Sequence, residues 1–105
     1  MGGLYDYLSI ILGVRSVWMN LKEVVGMNLK YYRYQSGLSQ EKFYTNLELN
    51  PKYMACIERG EENITIDYIE EIAFKLGVST HELITYNESH VIHKKRIDEK
   101  EKISS

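Results

Sequence analysis

Two stretches of the sequence decide the fold: Leu38-Ser39-Gln40-Glu41-Lys42-Phe43 and Asn50-Pro51-Lys52-Tyr53-Met54-Ala55-Cys56-Ile57-Glu58-Arg59-Gly60. They predict two short helices separated by a tight turn. The second helix is expected to begin with a capping asparagine followed by proline and to end at a glycine. In such a pair one helix braces the other, whose polar face then points outwards.

Length and composition limit the remaining choices. A chain of 105 residues suits one domain with one modest core. With 7 glycines and 1 proline, the chain is rich in helix formers and predicts an all-α fold. The single cysteine excludes an intramolecular disulfide and fits a reducing compartment. The apolar run at residues 7–14 is shorter than the ~20 residues that cross a bilayer, and no basic residue precedes it as in a secretory signal. We therefore expect a cytoplasmic protein without a membrane partner.

The charge is unevenly distributed along the chain. The net charge is −2, but residues 28–60 carry five positive and three negative side chains. Residues 61–88 carry one positive and seven negative side chains. The two predicted helices are thus mildly basic, and the acidic side chains follow them. This polarity allows contact with phosphates through one face and predicts a modest, salt-sensitive affinity for nucleic acid.

The wider pattern predicts five helices in a domain at residues 25–87. An apolar helical arm at residues 1–24, with a possible role in dimerisation, precedes the domain, and a charged, mobile tail at 88–105 follows it. The helices are expected at residues 25–36, 39–47, 50–60, 65–77 and 79–84, with caps at Ser39, Asn50, Thr65 and Ser79 and terminal glycines at Gly37, Gly60 and Gly77. Ser79 and Glu82 form a predicted capping box. The predicted inner stripe of the fourth helix is Ile66, Ile69, Ile72, Ala73 and Leu76.

Three motifs in this order resemble the Cro/C1-type, or XRE-like, family of helix-turn-helix DNA-binding proteins. They are Gly37-Leu38-Ser39-Gln40, Ile57-Glu58-Arg59-Gly60, and Ile72-Ala73-Phe74-Lys75-Leu76-Gly77-Val78-Ser79 followed by Glu82-Leu83. The run from Tyr53 to Thr65 is also similar to the controller proteins of restriction–modification systems. The resemblance covers residues 25–86 and implies a five-helix, lambda-repressor-like domain.

The resemblance also implies roles for particular residues. Gln40 matches a position that bonds a backbone phosphate, and Arg33 and Glu58 match a pair that ties helix 1 to the end of helix 3. The matched exposed side of the recognition helix, which enters the major groove, comprises Pro51, Lys52, Tyr53, Ala55 and Cys56. Two residues depart from the family pattern: Tyr44 replaces the usual alanine between helices 2 and 3, and Glu48 replaces the usual glycine of the turn. The turn is therefore expected either to be built differently or to hold the two helices further apart.

The chemistry of the candidate residues leaves several alternatives open. Lys52 can reach a guanine or a phosphate, whereas Asn50 and Ser39 serve as caps or as DNA contacts. Arg59 is a phosphate contact or an exposed charge, and Cys56 is a small interface residue or, less readily, a redox sensor. Pro51, Ala55 and Cys56 offer only apolar contact, so part of the selectivity is expected to come from DNA shape.

Other candidate sites have weaker support. Packing is favoured over nucleotide stacking for Tyr31, Tyr32 and Tyr34. Glu88, His90 and His93 lack a fixed fourth ligand, so no metal site is expected. The sequence contains no glycine-rich phosphate loop, nucleophile–base arrangement or convincing carboxylate pair, so neither an enzyme nor a cofactor is expected.

The leading functional hypothesis is a transcriptional regulator, in particular a repressor, that binds double-stranded DNA at a near-palindromic operator as a homodimer. Dimer contacts are expected from Leu83, Ile84 and Tyr86 and from residues 4–21. No small-molecule ligand domain is expected. The alternative is a protein-interaction module of the same fold, an antitoxin or anti-repressor, that does not depend on DNA. Attachment to a membrane surface ranks last, because residues 4–25 lack a basic face.

Overall fold

The computed structural model describes residues 19–91, and this part of the chain folds into a bundle of helices without strands. Five helices have defined bounds: α1 (Leu21–Ser36), α2 (Gln40–Asn46), α3 (Pro51–Glu58), α4 (Ile66–Leu76) and α5 (Thr80–Ile84). Residues 88–91 are also helical. The all-α class is therefore confirmed. Residues 1–18 and 92–105, which include most of the predicted arm and most of the predicted tail, lie outside the described residues.

Helix α1 begins four residues before its predicted start at residue 25. Asn20 and Glu23 form a reciprocal capping box, in which Oδ1 of Asn20 accepts from the Glu23 amide at 2.9 Å and Oε1 of Glu23 accepts from the Asn20 amide at 3.4 Å. This box places residues 21–24 within the first helix. The helix ends as predicted at Gly37, which adopts the left-handed conformation with φ of 72°.

The turn between α2 and α3 keeps a left-handed residue even though it lacks the usual glycine. Glu48 occupies that conformation with φ of 58°. The Glu48 carbonyl accepts a hydrogen bond from Nζ of Lys75 on α4 at 3.0 Å, and the Leu49 amide donates to the Tyr44 carbonyl at 2.9 Å. These bonds satisfy the carbonyl and the amide of the peptide group that follows Glu48, and offset part of the strain of a non-glycine residue in this region.

The core lies where the five helices α1 to α5 meet, and Tyr44 of α2 is part of it. Tyr44 is completely buried, so the tyrosine that replaces the family's usual alanine fills space between helices rather than facing solvent. The core cluster consists of Val25, Leu29, Phe43, Tyr44, Leu49, Met54, Ile57, Ile69, Ile72, Ala73 and Leu83. Burial of these side chains is the main stabilising contribution to the fold.

The outer faces of α4 and α5 differ from the sequence prediction at two positions. Ile66, assigned to the inner stripe of α4, is 73 % exposed because it stands at the first position of the helix, at the edge of that stripe. Leu83, assigned to a dimer contact, is completely buried in the monomer core and is unavailable to a partner. Ser79 caps α5 as predicted, by accepting from the Glu82 amide at 3.0 Å. The Glu82 carboxylate, which was predicted to complete a capping box with Ser79, instead accepts from the Tyr32 hydroxyl at 3.5 Å.

The chain after α5 packs back onto α1. His90 is buried, and its ring stacks on that of Tyr31 with centroids 3.7 Å apart. The His90 imidazole also hydrogen-bonds the buried side chain of Asn28 on α1. Because of these contacts residues 88–91 are helical, in contrast to the mobile tail expected from residue 88. The phenols of Tyr31 and Tyr32 contact this segment. Among the described residues, no helix combines the length and apolar character needed to cross a membrane.

Candidate DNA-binding surface

A groove of about 460 Å³ lies between the N-terminal ends of α2 and α3. The structure brings five predicted site residues together there, and adds one that the sequence reasoning missed. The lining residues are Gln40, Glu41, Asn50, Pro51, Lys52 and Ala55. The groove thus gathers an amide, a helix cap and a cation on one side of the two helices.

Capping hydrogen bonds fix the N-terminal ends of α2 and α3. Oδ1 of Asn50 accepts from the Tyr53 amide at 3.1 Å, and Pro51 occupies the first turn of α3, where an amide hydrogen is not needed. Oγ of Ser39 accepts from the Lys42 amide at 3.2 Å. Both residues therefore act as caps. Asn50 is exposed, and the nitrogen of its side-chain amide is not used in this cap and keeps its two hydrogens as donors.

The other predicted residues on α3 lie in different settings. Lys52 is exposed, whereas Tyr53 is half-buried and meets the Tyr68 ring edge-on at 5.5 Å. Cys56 is also half-buried, with its sulfur 3.2 Å from Nη2 of Arg59. Tyr53, Cys56, Arg59 and Ser39 do not line the groove.

Arg59 is engaged within the chain. Its Nε lies 3.0 Å from Oε1 of Glu61, and the hydrogen bond to Glu61 raises the pKa of the guanidinium. Both side chains of this pair are more than half exposed. Exposed ion pairs contribute little to stability, so Arg59 can exchange Glu61 for another anion at small cost.

Behind the groove, one carboxylate joins three helices. Arg33 of α1 donates to both oxygens of Glu58, with Nε 2.8 Å from Oε2 and Nη2 2.9 Å from Oε1. Gln40 donates from Nε2 to Oε1 at 3.1 Å, and the Tyr44 hydroxyl donates to Oε2. We call these four residues the Glu58 cluster. It places Arg33 and Glu58 together as the resemblance implies, and adds Gln40 and Tyr44, whose bonds to Glu58 were not predicted.

The pKa values of Tyr44 and Arg33 are both raised within the Glu58 cluster. Burial, reinforced by the negative charge of Glu58, raises the pKa of the Tyr44 hydroxyl far above its usual value. For Arg33, burial alone would lower the pKa, but the hydrogen bond and charge of Glu58 leave it raised. The guanidinium stays charged and the phenol stays neutral. The cluster therefore holds one cation and one anion, and its geometry positions α1, α2 and α3 more than it adds net stability.

Glu41 was missed as a residue of the groove. It is exposed, follows Gln40 directly on α2, and shares the groove with Lys52, which provides the opposite charge. The sequence signal that could have identified Glu41 as a groove residue is its position next to Gln40. The groove itself is thus close to neutral, which favours recognition by hydrogen bonds over strong non-specific attraction to phosphate.

Comparison with known proteins identifies the family. No protein-family model matches the chain. An uncharacterised HTH-type transcriptional regulator of Sinorhizobium fredii is 36 % identical over 67 residues, covering 64 % of this chain and 87 % of that protein. The control protein C.BamHI of Bacillus amyloliquefaciens is 34 % identical over 68 residues, covering 64 % of this chain and 84 % of the relative.

The chain belongs to the helix-turn-helix transcriptional regulators. A crystal structure of a Neisseria hypothetical transcription factor supports this assignment, with a TM-score of 0.60 and 29 % identity over 69 % of this chain and 83 % of the other. The resemblance to the Cro/C1-type family and its controller proteins is thereby confirmed. A helix-turn-helix regulator is not an enzyme. Within residues 19–91, no three side chains of the metal-binding types come together.

Proposed function

We propose that this regulator binds a near-palindromic operator as a homodimer and represses transcription by occupying the promoter. The observation that carries the proposal is the groove at the start of α2 and α3, where Gln40, Asn50 and Lys52 lie together at the exposed end of the helix pair. This is the end that a helix-turn-helix protein directs to the major groove.

The side chains of the groove suit distinct tasks on DNA. Lys52 is long, charged and exposed, and can donate to O6 and N7 of a guanine. Gln40 and Asn50 retain amide hydrogens that can donate to phosphate oxygens and fix the register of the protein. Arg59 can leave the exposed pair with Glu61 and bind a phosphate beside the groove.

Few groups on α3 read bases directly. Pro51, Ala55 and Cys56 present small apolar surfaces that can contact a thymine methyl group but donate no strong hydrogen bond. Selectivity then depends on a small number of base contacts, together with the sequence-dependent shape and deformability of the operator.

A homodimer needs an apolar surface outside the monomer core. Since Leu83 is buried, we propose that the dimer contact is centred on α4 and α5, where Phe74 is 85 % exposed and Ile84 is 36 % exposed. A two-fold axis at this surface would present two copies of α3 to half-sites about one helical turn, ~34 Å, apart. Tyr86 stays part of this proposed contact. A second dimer contact was predicted at residues 4–21. The structure describes only residues 19–21 of this range, where Leu21 is 53 % exposed.

Selection of bound duplexes from a random DNA library tests the proposal, followed by measurement of the affinity of the selected sequence across salt concentrations. The expected result is a motif of two symmetric half-sites and an affinity that falls steeply with salt. A folded protein that enriches no sequence would contradict the proposed function. A single, unpaired half-site would contradict the homodimer alone.

The exposed face of α4 gives specific support to a second function, that of a protein-interaction module such as an antitoxin or anti-repressor. Phe74 and Ile66 are both largely exposed on this helix, together with the acidic side chains Asp67, Glu70 and Glu71. Under this alternative, the random library would yield no motif although the protein remained folded. A partner encoded next to this gene would then bind the wild-type chain and not Phe74→Glu.

A further inference from the structure

All acceptor positions of the Glu58 carboxylate are occupied. A carboxylate offers about four acceptor sites, two on each oxygen. Oε2 accepts from Nε of Arg33 and from the Tyr44 hydroxyl, whereas Oε1 accepts from Nη2 of Arg33 and from Nε2 of Gln40. The side chain of Glu58 is only 4 % exposed, so water cannot readily replace a missing donor.

Gln40 belongs both to this cluster and to the groove. Its amide lines the groove and donates to Glu58 at 3.1 Å. Because a carboxylate can only accept, the nitrogen of the Gln40 amide must face Glu58. This fixes the orientation of the whole amide. The second hydrogen on the nitrogen and the amide oxygen remain for DNA.

Tyr44 acts on the same carboxylate from one helical turn away. Gln40 and Tyr44 are four residues apart on α2, so their side chains lie on the same side of the helix, towards the end of α3. Tyr44 is completely buried and cannot touch DNA itself. Its hydroxyl occupies the second acceptor site of Oε2, which leaves Oε1 as the only oxygen available to Gln40.

We infer that Tyr44 is a positioning residue for DNA binding, which acts through Glu58 to hold the Gln40 amide in a single orientation at the edge of the groove. This inference rests on the proposed function. Without the Tyr44 hydroxyl, an acceptor site opens on Oε2, and the Gln40 amide gains a second position. DNA binding must then restrict the amide at the cost of affinity.

A double-mutant cycle separates this role from a merely structural one. The variants are Tyr44→Phe, Gln40→Ala and the double variant, and the measurement is affinity for the duplex selected by the wild-type protein. The loss of one hydrogen bond is worth about 0.5–1.5 kcal/mol, so we expect Tyr44→Phe to weaken binding by about 2- to 10-fold. In the Gln40→Ala background the same substitution should change the affinity less than about 2-fold. Tyr32→Phe is the matched control, since it removes a hydroxyl that donates to Glu82, away from the groove.

Nuclear magnetic resonance of the Gln40 side-chain amide provides a readout without DNA. In the wild-type protein the hydrogen bonded to Glu58 should give a signal displaced from its position in an unfolded chain and should exchange slowly with water, whereas Tyr44→Phe should move this signal towards the unfolded position and speed its exchange. Unchanged amide signals in Tyr44→Phe would overturn the inference. So would equal losses of affinity in both backgrounds, since these assign Tyr44 a structural role only.

The two proposals fail in different ways. A wild-type protein that selects no DNA sequence would overturn the proposed function, and the role of Tyr44 in binding with it. Selection of an operator combined with an unchanged Gln40 amide in Tyr44→Phe would overturn only the inference about Tyr44.

Discussion

The imidazole of His90 and the side-chain amide of Asn28 are hydrogen-bonded in the interior, with Nδ1 of His90 lying 2.7 Å from Oδ1 of Asn28. The nitrogen of the same amide donates to the carbonyls of Glu82, Leu83 and Thr85, at 3.2, 2.7 and 3.0 Å. Since the nitrogen faces carbonyls, the oxygen must face His90, and Nδ1 of the imidazole donates. Asn28 thus joins α1 to the end of α5 and to residues 88–91.

Asn28→Ala should therefore destabilise the protein strongly. It removes three hydrogen bonds to carbonyls at the end of α5, one of them fully buried, and the buried hydrogen bond to Nδ1 of His90, so we expect the free energy of unfolding to fall by about 3 kcal/mol. Denaturant unfolding measures this change. Asn63→Ala, in the exposed connector before α4, is the matched control and should change stability by less than about 0.5 kcal/mol. Similar stabilities for the two variants would contradict the role of Asn28.

Gly26→Ala should separate α1 from α3. A Cβ at residue 26 would lie 2.6 Å from the carbonyl oxygens of both Ile57 and Glu58, which are backbone atoms and cannot rotate away. Overpacking of this kind costs about 1–3 kcal/mol, and the shift should also reduce DNA affinity because α3 carries the proposed recognition face. Gly37→Ala is the comparison: it has φ of 72° but nothing within 4 Å, so it tests backbone strain without a clash. Loss of DNA affinity confined to Gly37→Ala would contradict the close approach.

Stability should decrease at alkaline pH, in part through Tyr44. Burial of Tyr44 and the charge of Glu58 raise the pKa of the Tyr44 hydroxyl above 10.0 in the folded protein. The stabilisation linked to a raised pKa is fully present below the unfolded pKa, about 10, and is lost as the pH rises from there towards the folded pKa. We expect Tyr44→Phe to flatten the fall in the free energy of unfolding above pH of about 10. Tyr32→Phe should flatten it less, because Tyr32 is less buried than Tyr44. Parallel pH profiles of wild type and Tyr44→Phe would argue against this contribution.

Phe74→Glu should weaken the proposed homodimer. The ring is 85 % exposed on α4, so the substitution leaves the monomer core intact while placing a carboxylate in the proposed contact. We expect the dimer dissociation constant, measured by sedimentation equilibrium, to rise at least ~10-fold, or about 1.4 kcal/mol. Glu70→Gln on the same helix removes a charge without adding one and serves as control. A dimer of unchanged affinity in Phe74→Glu would place the interface elsewhere.

Lys52→Ala should relax sequence preference at one position of each half-site. Loss of a base contact costs about 1–3 kcal/mol of discrimination, whereas loss of a phosphate contact weakens all sequences alike and lowers the salt slope. Library selection with the variant distinguishes these outcomes. Lys22→Ala removes the same charge from the first turn of α1, outside the groove, and should leave the preference unchanged. An unaltered motif and affinity for Lys52→Ala would remove Lys52 from the recognition surface.

Asn50, Ser39 and Thr65 show which parts of the fold are predictable from local sequence. Each accepts a hydrogen bond from the amide three residues later, so the interaction is contained in a short peptide and is visible in the sequence. The left-handed glycines Gly37 and Gly77 are local signals of the same kind. The predicted start of α1, residue 25, lies four residues beyond the observed start at Leu21, because the prediction did not include the capping box at Asn20.

The sequence by itself determined the type and, within a few residues, the ends of helices α1 to α5, because caps, terminal glycines and apolar periodicity act over one or two turns. The tertiary structure decided which side chains meet. The Tyr44 hydroxyl bonds Glu58 fourteen residues away, and His90 bonds Asn28 sixty-two residues away. Such contacts depend on the angles at which helices cross, and the same packing leaves Phe74 exposed while burying Leu83. No local pattern specifies those angles, since they follow from the packing of the whole core.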